Sequence, residues 1–120
     1  MKGEQYLTKA EQYALVYKEG RSWTSRSLVM KAMPNGLCLT RYGLSVSKRT
    51  GNAVTRNRIK RLFREILRQA LLKPGWDLVM IARRPAADAA YADLDGEVKK
   101  LLLKADILTE ENERNRPCVN

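Results

Sequence analysis

The 120-residue chain contains no histidine, which narrows the chemistry that the protein can perform by itself. Histidine is the commonest general base and the commonest metal ligand at physiological pH. Cysteine is also scarce, since only Cys38 and Cys118 are present. Two cysteines without any histidine cannot supply the four ligands of a structural zinc site. Their number and spacing predict reduced thiols and not a disulfide framework.

Long apolar runs are missing as well. The first residues, MKGEQYLTKAEQ, carry charges throughout and contain no secretory hydrophobic region. No apolar run approaches the length of a membrane span. Apolar residues still form 44% of the chain, which suffices for the core of one domain. We expect a cytoplasmic protein with a single domain over residues 1–108. Residues 109–120 lack apolar periodicity, which predicts a flexible tail.

Acidic residues are the minority among the charged residues. The 13 Asp and Glu against 23 Lys and Arg give a net charge of +10. Such a balance predicts a polyanionic partner, most often a nucleic acid and less often an anionic membrane surface. Residues 51–68, GNAVTRNRIKRLFREILR, hold six of the basic residues and a single acid, Glu65. Lys48 and Arg49 stand just before this segment, and the clustering favours nucleic-acid binding.

Hydrophobic periodicity and turn residues predict the order of elements. The predicted elements are a helix over residues 9–19 that opens with a capping box at Thr8, strands over 27–33 and 37–47, a helix after Asn52, a strand over 78–82 and a helix over 91–105. The run LVMIA at 78–82 is typical of a central strand that is covered on both sides. A strand, a helix and another strand predict a β-α-β unit within a small α/β sandwich.

The helix after Asn52 has two distinct faces. Its apolar face consists of Ile59, Leu62, Phe63, Ile66 and Ala70, and its cationic face of Asn57, Lys60, Arg61, Arg64 and Arg68. Like charges at this spacing repel each other, and phosphates that meet the face remove the repulsion. Asn52 is a good N-cap, and a helix start beside Lys48 and Arg49 is suited to anions. The alternative is an ordinary solvated face.

Two further patterns each allow two interpretations. In residues 37–47, Cys38, Thr40, Tyr42, Leu44 and Val46 share one face, and Gly43, Ser45 and Ser47 leave the other face small. The small face is either a solvated strand edge or room for a ligand to approach. Tyr13 and Tyr17, at i,i+4, are either core residues or a stacking platform for single-stranded bases.

The segment GLSVSKRTGNAVTRNRIKRLFRE, residues 43–65, closely resembles the signature of the bacterial ribonuclease P protein subunit. The most diagnostic part is Arg56-Asn57-Arg58, and AEQYALVYKEG and DLVMIARRPA extend the resemblance. The resemblance implies a two-layer α/β sandwich, with the order helix, strands, helix, strand, helix and a left-handed β-α-β crossover. It implies an endoribonuclease subunit that binds a catalytic RNA, 1:1, and the 5′ leader of precursor tRNA. Hydrolysis would lie with the RNA and its bound Mg²⁺, with no catalytic residue or metal site in the protein.

The resemblance also implies a role for individual residues. Contacts to the catalytic RNA and the leader are expected from Lys48, Arg49, Arg56, Asn57, Arg58, Lys60, Arg61, Arg64 and Arg68. The leader cleft is expected to contain Tyr13, Tyr17, Lys31, Gly43, Ser45 and Ser47. Relatives often carry an aromatic residue near Lys31, so stacking at that point is replaced by a charge contact or lost.

Three other functions compete with this interpretation. A protein-based nuclease would need clustered carboxylates or a histidine-like base, and the acids are scattered. A ribosomal-type RNA binder would share the charge and the fold class, but it need not recognise a leader. A membrane-surface helix would fit the basic amphipathic segment, although a chain of this size needs that apolar face for its core.

Overall fold

A computed structural model describes residues 6–108 of the chain. The helices are α1 (Ala10–Glu19), α2 (Ala53–Gln69) and α3 (Tyr91–Lys104), and the strands are β1 (Arg21–Thr24), β2 (Leu28–Pro34), β3 (Arg41–Ser45) and β4 (Trp76–Ala82). Two 3-10 helices, the first short helix (Lys48–Thr50) and the second short helix (Arg84–Asp88), follow β3 and β4. The predicted order is confirmed, with β1 as an additional strand. The predicted tail lies outside the described residues.

The four strands form one mixed sheet in the order β1-β2-β4-β3. β1 and β4 both pair antiparallel with β2, whereas β3 pairs parallel with β4, with Tyr42 opposite Leu78. Because two parallel neighbours require a crossover, α2 completes the predicted β-α-β unit between β3 and β4. The left-handedness that the resemblance implies stays a prediction.

One face of the sheet carries the main core. Alternate residues of β2 and β4 point to this face, where they pack against α2 and α3. The largest buried side chains include Leu28, Met30, Ile59, Phe63, Ile66, Leu67, Leu78, Met80, Leu94, Leu101 and Leu102. The apolar face predicted for α2 is confirmed, with Leu62 at its half-buried margin and Leu67 as a further buried member.

The opposite face of the sheet is covered by α1. Val16 of α1 is buried there against Val79 of β4, together with Leu7. The predicted two-layer sandwich therefore consists of the sheet with α2 and α3, and α1 adds a cover on the second face. Since α1 has only 10 residues, it leaves part of this face open.

Local hydrogen bonds explain where two helices begin. The backbone N–H of Thr55 donates to Asn52 Oδ1 at 2.9 Å, which confirms Asn52 as the N-cap of α2. The capping box predicted for Thr8 and Glu11 is wrong, because the N-cap of α1 is Lys9 and the side chain that bonds back to it is that of Gln12. The N–H groups of Thr8 and Lys9 both donate to Gln12 Oε1, because α1 starts one residue later than predicted.

The strand predicted over residues 37–47 is shorter in the structure. Gly36 has φ +72°, and Asn35 donates to the carbonyl of Leu39 at 3.1 Å, so a loop extends to Thr40. Cys38 and Thr40 therefore do not share a strand face with Tyr42 and Leu44. Cys38 is disulfide-bonded, which contradicts the expectation of a reduced thiol. Its exposed position in this loop leaves the sulfur accessible for pairing, and Cys118 lies outside the described residues.

Candidate nucleic-acid interface

The solvent side of α2 carries the predicted cationic face. Asn57, Arg61, Arg64 and Arg68 are exposed, and Lys60 is half-buried at the margin. Glu65 accepts hydrogen bonds from Arg68 and Gln69. The one acidic residue of this helix therefore offsets positive charge near its C-terminal end. Among residues 6–108, Lys60, Arg61 and Arg64 form no ion pair with a carboxylate. The charge of these three side chains is therefore available to an external anion.

The start of α2 adds backbone donors to this charge. Asn52 satisfies the N–H of Thr55, and the N–H groups before it have no partner within the helix. The first turn contains no acid, and Lys48 and Arg49 of the first short helix are exposed beside it. Positive side chains and the positive end of the helix dipole thus coincide.

Arg56 and Arg58 occupy different surroundings, although they belong to the same sequence motif. The Nε of Arg56 is buried and has no hydrogen-bond partner among the described residues. Arg58 donates from its guanidinium to the carbonyls of Ala87 and Ala89, the latter at 3.4 Å. The structure therefore leaves the Nε of Arg56 without a partner among the described residues and turns Arg58 towards the second short helix.

The side chain of Tyr13 occupies the space above Gly43. A Cβ atom added to Gly43 would lie 2.5 Å from the Tyr13 ring. The Tyr13 hydroxyl donates to the carbonyl of Leu7 at 3.3 Å, and burial raises the pKa of Tyr13 above its usual value. The room expected above Gly43 is therefore filled by the protein itself. Tyr17, one turn further on, is 40% exposed, so the two tyrosines are not equivalent.

Other residues of the expected leader cleft share the sheet face that α1 covers. Lys31 of β2 and Gly43 of β3 are both paired with Val79 of β4, so the three residues form one row across the sheet. Ser45 lies in the next row on this face, paired with Ile81. Ser47 is exposed just before the first short helix, where the chain has left the strand.

A groove of about 270 Å³ along the edge of β3 joins the two groups of candidate residues. It is lined by Tyr6, Leu7, Tyr13, Tyr42, Gly43, Leu44, Lys60 and Arg64. Tyr6 and Tyr42 meet edge to face, with ring centroids 5.0 Å apart. Burial, assisted by the hydrogen bond with Tyr6, raises the pKa of Tyr42 strongly. The Tyr42 hydroxyl therefore stays neutral near pH 7, and Lys60 and Arg64 are the cationic side chains that line this groove.

Sequence reasoning missed one residue of the groove and one exposed apolar residue at the start of α2. Tyr6 reaches the groove through a parallel bridge to Tyr42, and a single bridge has no periodicity to predict it. Val54 is 78% exposed in the first turn of α2, close in sequence to Lys48 and Arg49. The sequence signal for Val54 was an apolar residue at a predicted helix start, a few residues after Lys48 and Arg49.

Within residues 6–108, no three or more His, Cys, Asp or Glu side chains are grouped so that they could hold a metal ion. In the same part of the chain, no helix has both the length and the apolar character to cross a membrane.

Comparisons with known proteins agree on one family. A family model described as ribonuclease P matches residues 1–106. A ribonuclease P protein component of Dehalococcoides mccartyi is 48% identical over 114 residues, 95% of each sequence. One from Clostridioides difficile is 40% identical over 84% of this chain and 91% of its own length. A solved mutant of the Staphylococcus aureus RNase P protein superposes with a TM-score of 0.83 at 31% identity, covering 90% of this chain and 93% of that one.

Proposed function

The chain belongs to the ribonuclease P protein family, and from this premise we propose that it is the protein subunit of a ribonucleoprotein that removes the 5′ leader from precursor tRNA. Ribonuclease P is an endoribonuclease of tRNA maturation, and its protein component acts with an RNA subunit. In this proposal the protein binds the catalytic RNA and the leader, in a 1:1 complex in the cytoplasm. Hydrolysis is left to the RNA.

The observation that carries this proposal is the cationic face of α2 beside the aromatic groove, where Lys60, Arg61 and Arg64 pair with no carboxylate of residues 6–108. Lys60 and Arg64 belong to both features, so one continuous surface offers phosphate contacts and tyrosine rings. Phosphates neutralise the mutual repulsion of the cations and release counterions, and aromatic rings stack on unpaired bases. A surface with both features suits single-stranded RNA that continues from a structured RNA.

The proposed contacts follow the faces described above. The catalytic RNA and the near end of the leader meet Lys48, Arg49, Arg56, Asn57, Lys60, Arg61, Arg64 and Arg68. The leader cleft uses Tyr13, Tyr17, Lys31, Ser45 and Ser47, with Gly43 as the seat of Tyr13. Lys31 offers the leader a charge contact. A separate role for Arg58 is argued in the next subsection.

Mg²⁺ is assigned to the RNA and not to this chain. The donor set of the described residues does not fit a divalent cation, since no group of three metal-ligating side chains occurs in residues 6–108. Phosphate oxygens of the RNA are hard donors of the type that Mg²⁺ prefers. The protein supports metal binding indirectly in this proposal, by lowering the repulsion between the RNA and the leader.

The test is cleavage of a precursor tRNA at low Mg²⁺ with a bacterial catalytic RNA, with and without the protein. We expect leader removal only when the RNA and the protein are both present. The matched control is Lys100→Ala, which removes an exposed charge from α3, and it should stimulate cleavage like the wild type.

Two results would contradict the proposal. Cleavage by the protein alone would move the chemistry from the RNA to the protein. RNA binding without any stimulation of cleavage would favour a ribosomal-type RNA binder.

A further inference from the structure

Three elements meet at the side of α2 that Arg58 faces. The first short helix contacts the second short helix, and α2 contacts both. The first short helix carries Lys48 and Arg49, which are exposed towards solvent. The second short helix holds Ala86, which is fully buried in the main core. The two exposed cations thus lie on an element that contacts both the second short helix and α2.

Arg58 supplies hydrogen bonds at this meeting point. Its guanidinium donates to the carbonyls of Ala87 and Ala89, at the C-terminal end of the second short helix. The last carbonyls of a helix have no partner within it, and half-buried carbonyls that stay unpaired are costly. A side chain 29 residues away in the sequence therefore closes this helix end.

We propose that Arg58 is a positioning residue, which fixes the second short helix on α2 and thereby holds Lys48 and Arg49 where they meet RNA. The inference rests on the proposed function for its RNA, and it divides the Arg-Asn-Arg motif between two tasks. The Nε of Arg56 lacks a partner among the described residues, which leaves Arg56 for the RNA in this proposal, whereas Arg58 uses its donors within the protein.

The chemistry of the contact requires arginine. A guanidinium is planar and presents several N–H donors in a fixed fork, so it reaches two carbonyls at once. A lysine ammonium keeps the positive charge, but it is a point donor on a flexible stem. Arg58→Lys therefore separates the two possible roles, since it preserves a phosphate contact and loses the fork.

The first measurement needs no RNA. Arg58→Ala and Arg58→Lys should both lower the unfolding midpoint, by about 4–8 °C. Amide hydrogen exchange should become about fivefold faster in residues 84–89 and also in residues 48–50. Exchange at Val98, in the buried part of α3, reports on global unfolding and should rise only by the amount that the lower stability accounts for. Faster exchange confined to residues 84–89 would overturn the proposal, because Lys48 and Arg49 would then be held by something else.

The second measurement is a double-mutant cycle on the affinity for a catalytic RNA. The loss caused by Lys48→Ala with Arg49→Ala should be at least about threefold smaller in the Arg58→Ala background than in the wild type. Arg61→Ala, on the same helix but away from the contact, should cost the same in both backgrounds. A purely structural Arg58 would give additive effects in both cycles, which would overturn the positioning role.

A direct phosphate contact would give a different pattern. Arg58→Lys would keep most of the affinity, and Arg58→Ala alone would flatten the salt dependence by one contact, about 0.7–0.9 in log–log slope. That result would also overturn the proposal. The wild-type cleavage assay reports separately on the proposed function, since RNA binding without leader cleavage would reject that function and leave the cycle interpretable.

Discussion

At the scale of single residues, Gly43 shows how a small side chain shapes the candidate cleft. The Tyr13 ring lies where a Cβ atom of residue 43 would be. Gly43→Ala should push the ring away and weaken its hydrogen bond to Leu7. We expect a loss of about 1–3 kcal/mol in the free energy of unfolding from overpacking. Affinity for precursor tRNA should fall more than affinity for mature tRNA, as measured by titration at equal salt.

Gly96→Ala is the matched control for this substitution. Gly96 lies within α3, and a Cβ atom there meets nothing within 4 Å. Because alanine is the better helix former, Gly96→Ala should raise the stability by about 0.5–1 kcal/mol and leave RNA binding unchanged. If Gly43→Ala were equally harmless, Tyr13 would have room to shift without affecting the cleft.

Tyr17 offers a test of stacking that is separate from folding. Its side chain is 40% exposed, whereas Tyr13 is half-buried and hydrogen-bonded. Tyr17→Ala should leave the unfolding midpoint nearly unchanged and cost about 1–3 kcal/mol in binding a substrate with a leader. Leu15→Ala is the control, since Leu15 lies on the same helix and is 49% exposed. An equal loss with mature tRNA would assign Tyr17 to a contact other than the leader.

At the scale of the elements, α2 is the helix that the charge distribution marks as the contact surface. Arg56 and Arg64 lie two turns apart on it, and neither pairs with a carboxylate within residues 6–108. Replacing each by alanine should weaken binding to the catalytic RNA. The log–log slope against salt should become flatter by about 0.7–0.9 for each lost phosphate contact.

The control for this prediction is again Lys100→Ala on α3, which removes the same charge from another surface. Its effect on the slope should be close to zero, because long-range attraction alone is screened at moderate salt. An unchanged slope in Arg56→Ala and Arg64→Ala would mean that these side chains do not reach phosphates.

The elements also show what local patterns can predict. α2 was predicted with its cap and apolar face because Asn52 and the spacing of Ile59, Phe63 and Ile66 are local signals. β1 was missed because its four residues show no alternation of burial that a sequence could reveal. The strand at 37–47 was predicted too long, since alternation continues into a loop that Asn35 stabilises through side-chain bonds.

The candidate site also has a part that could be predicted from the sequence and a part that could not. The cationic face follows from helical spacing, so it could be predicted. The groove depends on Tyr6 meeting Tyr42, and on Tyr13 packing over Gly43, which are contacts between distant parts of the chain. The two tasks of Arg56 and Arg58 could not be separated from the sequence either, because only the path of the chain after β4 brings Ala87 and Ala89 to Arg58.

At the scale of the whole molecule, the net charge of +10 opposes folding when no anion is present. The repulsion between like charges on α2 then offsets part of the stabilisation that the buried core provides. A ligand that binds only the folded state stabilises it in proportion to its concentration, by about 2.7 kcal/mol at one hundred times its Kd. We therefore expect polyanions to raise the unfolding midpoint of this protein.

Pyrophosphate is a suitable probe, with sodium chloride at equal ionic strength as the control for screening. The midpoint should rise with the logarithm of the pyrophosphate concentration, and more than with chloride. In a variant with Arg56→Ala and Arg64→Ala, the starting stability should be equal or higher, because repulsion is reduced, and the rise should be smaller. If the rise were the same in that variant, the stabilising anion would bind elsewhere, and the charge of α2 would have no part in coupling folding to RNA binding.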